Sequence, residues 1–270
     1  MITPVGLNRT DVEVAIEAAR AGARIALAQY GGTRERYAKQ GADFATDVDM
    51  AVERAIVEIL RTARPEDTIQ GEELGVTGSP EAERRWLVDP LCGTLNYAAG
   101  LALYAVNVAL VRGDDVLAAV VAEPATGTYL ITDGMSAWCE LDGSDIRTEV
   151  RPSAASRLVE VNLETPDPDE QGFSSARFFR SGAFKTLSPR FIGTSLPLSW
   201  VATGKYAGYV IPGKREASVH FTPGIGLCQA AGCVLSGLHG EPLHLANEGI
   251  VVAADERTHE LLLAGIAEQL

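Results

Sequence analysis

The sequence contains no run of lysine and arginine, no two cysteines in CxxC spacing, and no apolar stretch approaching the roughly 20 residues that a membrane-spanning helix requires. Each absence removes a class of protein. Thirty-six acidic residues outnumber 23 basic ones for a formal net charge of −13, so the electrostatic footprint of a nucleic-acid-binding protein is missing and no nucleic-acid partner is expected. The four cysteines, Cys92, Cys139, Cys228 and Cys233, are scattered, which argues against a disulfide scaffold and a closed structural zinc site and makes free thiols the expectation. Residues Met1 to Asp11 lack the basic-then-apolar pattern of a secretory signal. The expectation is a cytoplasmic protein with no membrane partner. Internal repeats and low-complexity tracts are also missing.

What is present is ordinary globular material: 270 residues, 46% hydrophobic and 22% charged, enough for one large domain or two small ones sharing an interface. Thr10 and Glu13 form a capping box for a helix from about Thr10 to Tyr30, with Val12, Ile16, Ala19, Ala23 and Ala26 along one face and Gly31-Gly32 as its stop. A second helix is predicted from Asp47 to Arg64, where Val52, Ile56, Ile59 and Leu60 recur at helical spacing and Pro65 follows. The polar stretch between them, Thr33 to Gly41, reads as a loop. From residue 66 the pattern changes to strands at Arg85 to Val88, Ala105 to Arg112, Val116 to Glu123, Thr128 to Asp133 and Ser136 to Leu141. Two helices followed by an antiparallel run of strands indicate an α+β first half.

A new strand at Val159 to Asn162 places the boundary near Arg151, dividing the chain into residues 1–150 and 151–270. The Pro-, Asp- and Glu-rich segment Thr165 to Gly172 then falls inside the second half. Further on are a small-residue helix at Leu196 to Thr203, a strand at Tyr209 to Ile211, and a helix Pro223 to Ala231 with Thr222 as N-cap. A strand at Ile250 to Ala253 and a helix from Glu256 to Gln269, capped by Asp255, close the chain.

Three acidic segments carry the chemistry: Asp43 to Asp49 before the second helix, Gly71-Glu72-Glu73, and Trp86-Leu-Val-Asp89-Pro-Leu-Cys-Gly93-Thr94. Carboxylates at strand ends and helix starts can hold a hard cation such as Mg²⁺ with positions left for water and phosphate. Singly, such clusters are ordinarily solvated caps. In this order they resemble the signature of the inositol monophosphatase family: a GEE segment, a WxVDPxDGTxN segment and a C-terminal WDxAAG segment. The counterparts here are Gly71-Glu72-Glu73, Trp86 to Asn96, and Val219-His220-Phe221-Thr222-Pro223-Gly224. Asp43 to Asp49 matches the family's DLVTxxD entry to a helix, and Gly193-Thr194-Ser195 with Val201 to Gly204 matches its GSAA and VAxG stretch. The resemblance covers essentially the whole chain.

That resemblance implies an α/β fold, the layered α-β-α-β-α sandwich of the inositol monophosphatase and fructose bisphosphatase type, with the metal motifs in the first half and the second half completing the pocket. It implies one Mg²⁺ held by Glu72, Asp89 and the Leu91 carbonyl, and a water activated with the help of Thr94 and Asp49. Backbone N–H groups of Gly93 and Thr94, opening a helix Thr94 to Ala99, would cradle an anion. Gly193, Thr194 and Ser195 would add substrate contacts, with Glu216 as the candidate acidic contact. The substrate would be a small polar molecule such as a cyclitol, sugar or nucleotide phosphate, and the assembly a homodimer.

The second metal position departs from the pattern. The family holds that ion with both Asp residues of DPxDGT and the Asp of WDxAAG; here Cys92 and His220 replace two of the three, a one-residue shift in register putting Phe221 in place of His220, and either way no carboxylate remains at those two positions. Thiol and imidazole are softer ligands than carboxylate and suit Zn²⁺ better than Mg²⁺. Three outcomes follow. The leading one is a pocket repurposed for non-phosphatase chemistry, with Cys92 at a helix N-terminus that lowers its pKa and His220 as its base. The second is a phosphatase using one Mg²⁺ or a softer ion, and the third a binding protein with a dead site. The cofactor is accordingly one divalent ion or none. Cys139, Cys228 and Cys233 read as small buried hydrophobes, and His239, His244 and His259 have no metal-ligand spacing. Trp86, Trp138 and Trp200 read as core or strand residues.

Overall fold

The computed structural model describes residues 9–32, 36–38, 44–79, 81–144, 146–163, 173–213 and 218–268. Asp43, Glu216 and the segment 165–172 lie outside them. The first helix, α1 (Asp11–Gln29), starts on the expected capping box: Thr10 N–H donates to Glu13 Oε2 at 2.7 Å and Glu13 N–H to Thr10 Oγ1 at 3.3 Å. The stretch read as a loop contains strand β1 (Arg36–Ala38), which pairs with β2 (Phe44–Thr46). The ribbon has only three residues to a strand, too short for a clear alternation, and on β2 Ala45 and Thr46 are buried. Helix α2 (Asp47–Ala63) follows directly, with Thr46 as its N-cap.

One compact unit takes the described residues up to Glu149 together with Thr194–Leu196 and Ser218–Leu227. Its strands are β3 (Thr68–Gly71), β4 (Val76–Thr77), β5 (Arg85–Cys92), β6 (Ala105–Arg112), β7 (Asp115–Glu123), β8 (Thr128–Thr132), β9 (Ala137–Leu141) and β10 (Thr148–Glu149), with a short helix α3 (Thr94–Ala98) between β5 and β6. They form one sheet in the order β10-β9-β8-β7-β6-β5-β3-β4, antiparallel except that β3 runs parallel to β5. Val14, Ala18, Val52, Ile56 and Leu60 of the two helices pack on Trp86, Val88, Val106, Val108 and Val120 of the sheet. The opposite face is apolar too: Leu87, Ala109, Val111 and Ala119 pack around Val219. Both faces being covered explains why β5 to β7 read as nearly continuous apolar runs rather than as an alternation.

That second face positions the site. Asp89 lies two residues along β5 from Leu87, hence on the same face. Val219, 8% exposed, is fixed there by burial worth about 1.5 kcal/mol, and it carries His220 to Asp89. Tyr97 does the same for α3, its hydroxyl donating to Ala26 O of α1 at 2.7 Å while its ring packs edge-on to Tyr104.

The other unit takes the described residues of Val150–Gly193, Pro197–Ala217 and Cys228–Leu270. Later elements of the chain are β11 (Leu158–Val161), α4 (Ser175–Phe178), β12 (Ser188–Arg190), α5 (Leu196–Ala202), β13 (Gly208–Pro212), α6 (Thr222–Ala231), β14 (Val234–Gly237), β15 (Gly249–Ala253) and α7 (Glu256–Ala267). The sheet order is β12-β11-β13-β15-β14, with β11 parallel to both neighbours. Its core is Val159, Val161, Phe178, Val210, Val251, Leu262 and Ile266. Asp255 caps α7 as expected, accepting from Thr258 N–H at 2.7 Å. Thr222 is not a cap: its N–H donates to Ser218 O at 3.0 Å, so the turn closes one step earlier and Thr222 is the first residue of α6.

Candidate active site

The end of β5 is irregular, and that irregularity builds the site. Asp89 pairs with Asn107 and Cys92 with Ala105 on β6, so Pro90 and Leu91 together face Val106 alone. Proline has no N–H to give the ladder, and a bulge results. Beyond it Gly93 adopts the left-handed conformation, φ +97°, which any other residue would enter only with strain, and α3 starts at Thr94. The strand therefore runs to Cys92 rather than stopping at Val88, and α3 is five residues long.

Thr94 and Asp49 meet. Thr94 Oγ1 lies 2.9 Å from Asp49 Oδ1 and 2.9 Å from Leu91 O. Asp49, fully buried in the first turn of α2, is held from the other side by Thr46, whose N–H and hydroxyl donate to Oδ2 at 2.8 and 2.5 Å. Burial pushes its carboxyl above the usual range, against the pull of those hydrogen bonds. Glu72, just past β3, lies within hydrogen-bonding reach of Asp89. Glu53 of α2, fully buried, accepts from Glu73 N–H at 2.8 Å and Leu74 N–H at 2.9 Å and so braces the turn that carries Glu72. Burial, with the charges of Glu73 and Asp89 adding to it, raises its pKa. A Cβ on Gly71 would fall 1.7 Å from Glu53 Oε1, so glycine there is a condition of the brace.

Asp89 is completely buried. Its Oδ1 accepts from Leu91 N–H at 3.1 Å and its Oδ2 lies 2.7 Å from His220 Nδ1. His220, not its neighbour Phe221, therefore faces the acid. Burial works against a charged imidazole, but the adjacent Asp89 carboxylate outweighs it and the His220 pKa is pushed up to about 12. Burial likewise opposes ionisation of Asp89, yet the imidazolium holds its pKa below the ordinary carboxylate value. The Cys92 thiol moves the other way from the expectation drawn from a helix N-terminus. Burial, and next the negative Asp89, push it up, and a five-residue helix has too small a dipole to reverse that. The thiol donates to Ser195 Oγ at 3.0 Å and accepts from Ser195 N–H at 3.2 Å.

Of the remaining expected contacts, Thr194 and Ser195 come to Cys92, Thr194 Oγ1 donating to Cys92 O at 3.1 Å. Gly193 belongs to the second compact unit. Glu216 lies outside the described residues. Two residues of this cluster escaped the sequence reading. Glu53 looked like any solvated helix residue. Asn107, fully buried on β6, donates through Nδ2 to Ser195 Oγ at 3.0 Å and leaves its Oδ1 without a partner among the described residues. A lone Asn within Ala-Val-Asn-Val-Ala-Leu-Val is a signal that a buried strand position has polar work.

The ligand atoms of Asp89, Cys92 and His220 all lie within 4.8 Å of one another. One carboxylate, one thiol and one imidazole make a soft donor set, which fits a Zn²⁺-like ion. The fit to a pair of Mg²⁺ ions is poor. Among the described residues that group of three offers no carboxylate besides Asp89.

A sequence profile described as the inositol monophosphatase family matches residues 7–270. An inositol-1-monophosphatase of Caulobacter vibrioides is 33% identical over 202 residues, covering 72% of this chain and 77% of that protein. The Nus factor SuhB of Pseudomonas aeruginosa is 32% identical over 236 residues, covering 86% of each. Among solved structures, the IMPase of Thermotoga maritima superposes with a TM-score of 0.76 at 20% identity, over 95% of this chain and 96% of that one. The chain belongs to the inositol monophosphatase family, and its fold is of the inositol monophosphatase and fructose bisphosphatase type.

Proposed function

We propose that this protein is a hydrolytic enzyme for a small polar phosphomonoester, working through one softer divalent ion where the family pattern calls for two Mg²⁺. The observation that carries the proposal is the Thr94 Oγ1 to Asp49 Oδ1 contact at 2.9 Å beside Asp89. A hydroxyl tied to a buried carboxylate with a raised pKa is a water-orienting acceptor, and a dead site has no reason to keep a buried acid that must be desolvated. Asp89, Cys92 and His220 would hold the ion, with Glu72 beside Asp89. Such an ion supplies positive charge to an oxyanion and acidifies bound water. Thr94 and Asp49 would take up the proton of the attacking water, and Gly93 and Thr94 N–H groups would face the anionic substrate. Cytoplasmic residence and a homodimeric state belong to the same proposal.

The non-phosphatase alternative has one observation in its favour: the His220 side chain is 42% exposed, so an imidazolium edge reaches solvent beside Cys92 and could serve as a general acid. A single experiment separates the two. Metal content of the purified protein is measured, followed by calorimetric titration with Mg²⁺, Mn²⁺ and Zn²⁺ and phosphate release from polyol phosphates, for wild type and the double variant Cys92→Asp, His220→Asp. The proposal expects Zn²⁺ to bind the wild type and support turnover, and the double variant to shift its preference to Mg²⁺. Phosphate release that is absent with every ion, while the double variant regains it with Mg²⁺, would transfer the case to the alternative.

A further inference from the structure

Cys228 and Cys233 read in the sequence as small buried hydrophobes, and the end of α6 joins them. Gly232 ends that helix in the left-handed conformation, φ +83°. Its N–H donates to Gln229 O at 3.1 Å, and the next N–H, of Cys233, donates to Cys228 O at 2.9 Å. This pair of reversed hydrogen bonds is the Schellman closure, which brings the side chain just past the glycine onto the one in the helix's last turn. Here both are cysteines, and their sulfurs lie within hydrogen-bonding reach of each other. With standard bond lengths the 2.9 Å contact keeps the two Cα atoms within about 6.8 Å, inside the range a disulfide spans.

We propose that Cys228 and Cys233 are a thiol pair built to form a reversible intramolecular disulfide. The two sulfurs differ in access. Cys228 is completely buried and its thiol donates to Leu198 O at 3.1 Å, whereas Cys233 is only partly buried at a turn where a Cβ on Gly232 would meet nothing within 4 Å. Cys233 is thus the sulfur a low-molecular-weight disulfide reaches. Its thiolate attacks one sulfur of the oxidant and expels the other half as a thiol, leaving a mixed disulfide on Cys233. Cys228 then gives up its proton and attacks Cys233 Sγ, expelling the second half as a thiol. The protein loses two protons and two electrons, and the oxidant, reduced to two thiols, gains them. Reversal needs only an excess of small thiol. Oxidation also removes the hydrogen that Cys228 gives to Leu198 O, so the state of the pair reaches α5.

The test uses the full chain, incubated natively with oxidised glutathione, acid-quenched, denatured, alkylated and digested with trypsin. Both cysteines fall in one peptide, Glu216 to Arg257. The expected result is that this peptide is two hydrogens lighter and unalkylated, while Cys92 and Cys139 carry the label, and that dithiothreitol restores labelling at all four positions. Cys228→Ser should instead accumulate a glutathione adduct on Cys233, and Cys233→Ser should leave Cys228 labelled and unmodified. Four labelled cysteines after oxidation, a wild-type protein that stops at the Cys233 adduct, or a bond involving Cys92 or Cys139 would each overturn the proposal.

Discussion

Replacing His220 by Gln removes the only positive charge in contact with Asp89 among the described residues while preserving most of the side-chain volume. Asp89 is fully buried, and its Oδ2 lies 2.7 Å from His220 Nδ1. Breaking a buried ion pair by deleting one partner costs about 3–5 kcal/mol, because the remaining charge is stranded. The His220 side chain is 42% exposed, so water screens part of that attraction and a loss of about 1–3 kcal/mol is the expectation. The pH dependence carries a sign. His220 is raised from 6.5 to about 12, so its contribution is complete below 6.5 and shrinks as pH climbs towards 12. Asp89 is lowered from 3.8, so its contribution is present above 3.8 and disappears as pH falls through the lowered value. The gap in stability between wild type and His220→Gln should therefore be widest near about pH 6 and narrow towards about pH 9. Urea denaturation of both proteins with chelator present, across that range, reads it directly. Equal stability at about pH 6, or a gap that widens with pH, would refute the charge-pair account.

Glu53→Ala removes the acceptor for the Glu73 and Leu74 amides and should cost about 2 kcal/mol, with faster hydrogen exchange at those two amides as the specific sign. Gly71→Ala should cost about 1–3 kcal/mol because its Cβ would meet Glu53 Oε1; the double variant Gly71→Ala, Glu53→Ala should lose clearly less than the sum, and additivity would dissociate the glycine from the brace. Thr94→Val removes the hydroxyl between Asp49 and Leu91 and should lower turnover on any hydrolysed substrate by about 10²-fold or more while leaving the melting temperature within a few degrees; an active variant would remove Thr94 from the water-orienting role.

Features set by local chemistry were legible in the sequence. The Thr10–Glu13 capping box and the Asp255 cap depend on residues three apart, and the structure realises both. The ordered motifs identified the family because they span the chain. What was not legible depends on long-range packing. Pro90 broke the strand pattern, so β5 seemed to stop at Val88, although the bulge lets it continue to Cys92. Glu53 follows the ordinary polar periodicity of α2, and only the turn after β3, twenty residues on, buries it. At Cys92 the dipole of a short helix opposes burial and a neighbouring carboxylate, and burial, which the local sequence does not show, is larger. Asn107 differs from these, because a lone amide in an apolar strand is visible in the sequence itself.

The two substitutions at the second metal position make sense only as a pair. The family pattern places three carboxylates there, whose mutual repulsion is offset by cations. Cys92 and His220 replace two of them, and with His220 an imidazolium and Cys92 a protonated thiol, the group of Asp89, Cys92 and His220 is neutral without any ion. Replacing only the Cys92 position would have left two facing acids and a thiol. Replacing only the His220 position would have left one surplus charge next to a fully buried Asp89. Together they yield a site that holds its shape unaided, at the cost that an arriving ion must displace protons from imidazole and thiol before it can bind. On the proposed function, a centre so constructed would favour ions that bind nitrogen and sulfur strongly enough to do so, as Zn²⁺-like ions do and Mg²⁺ does not.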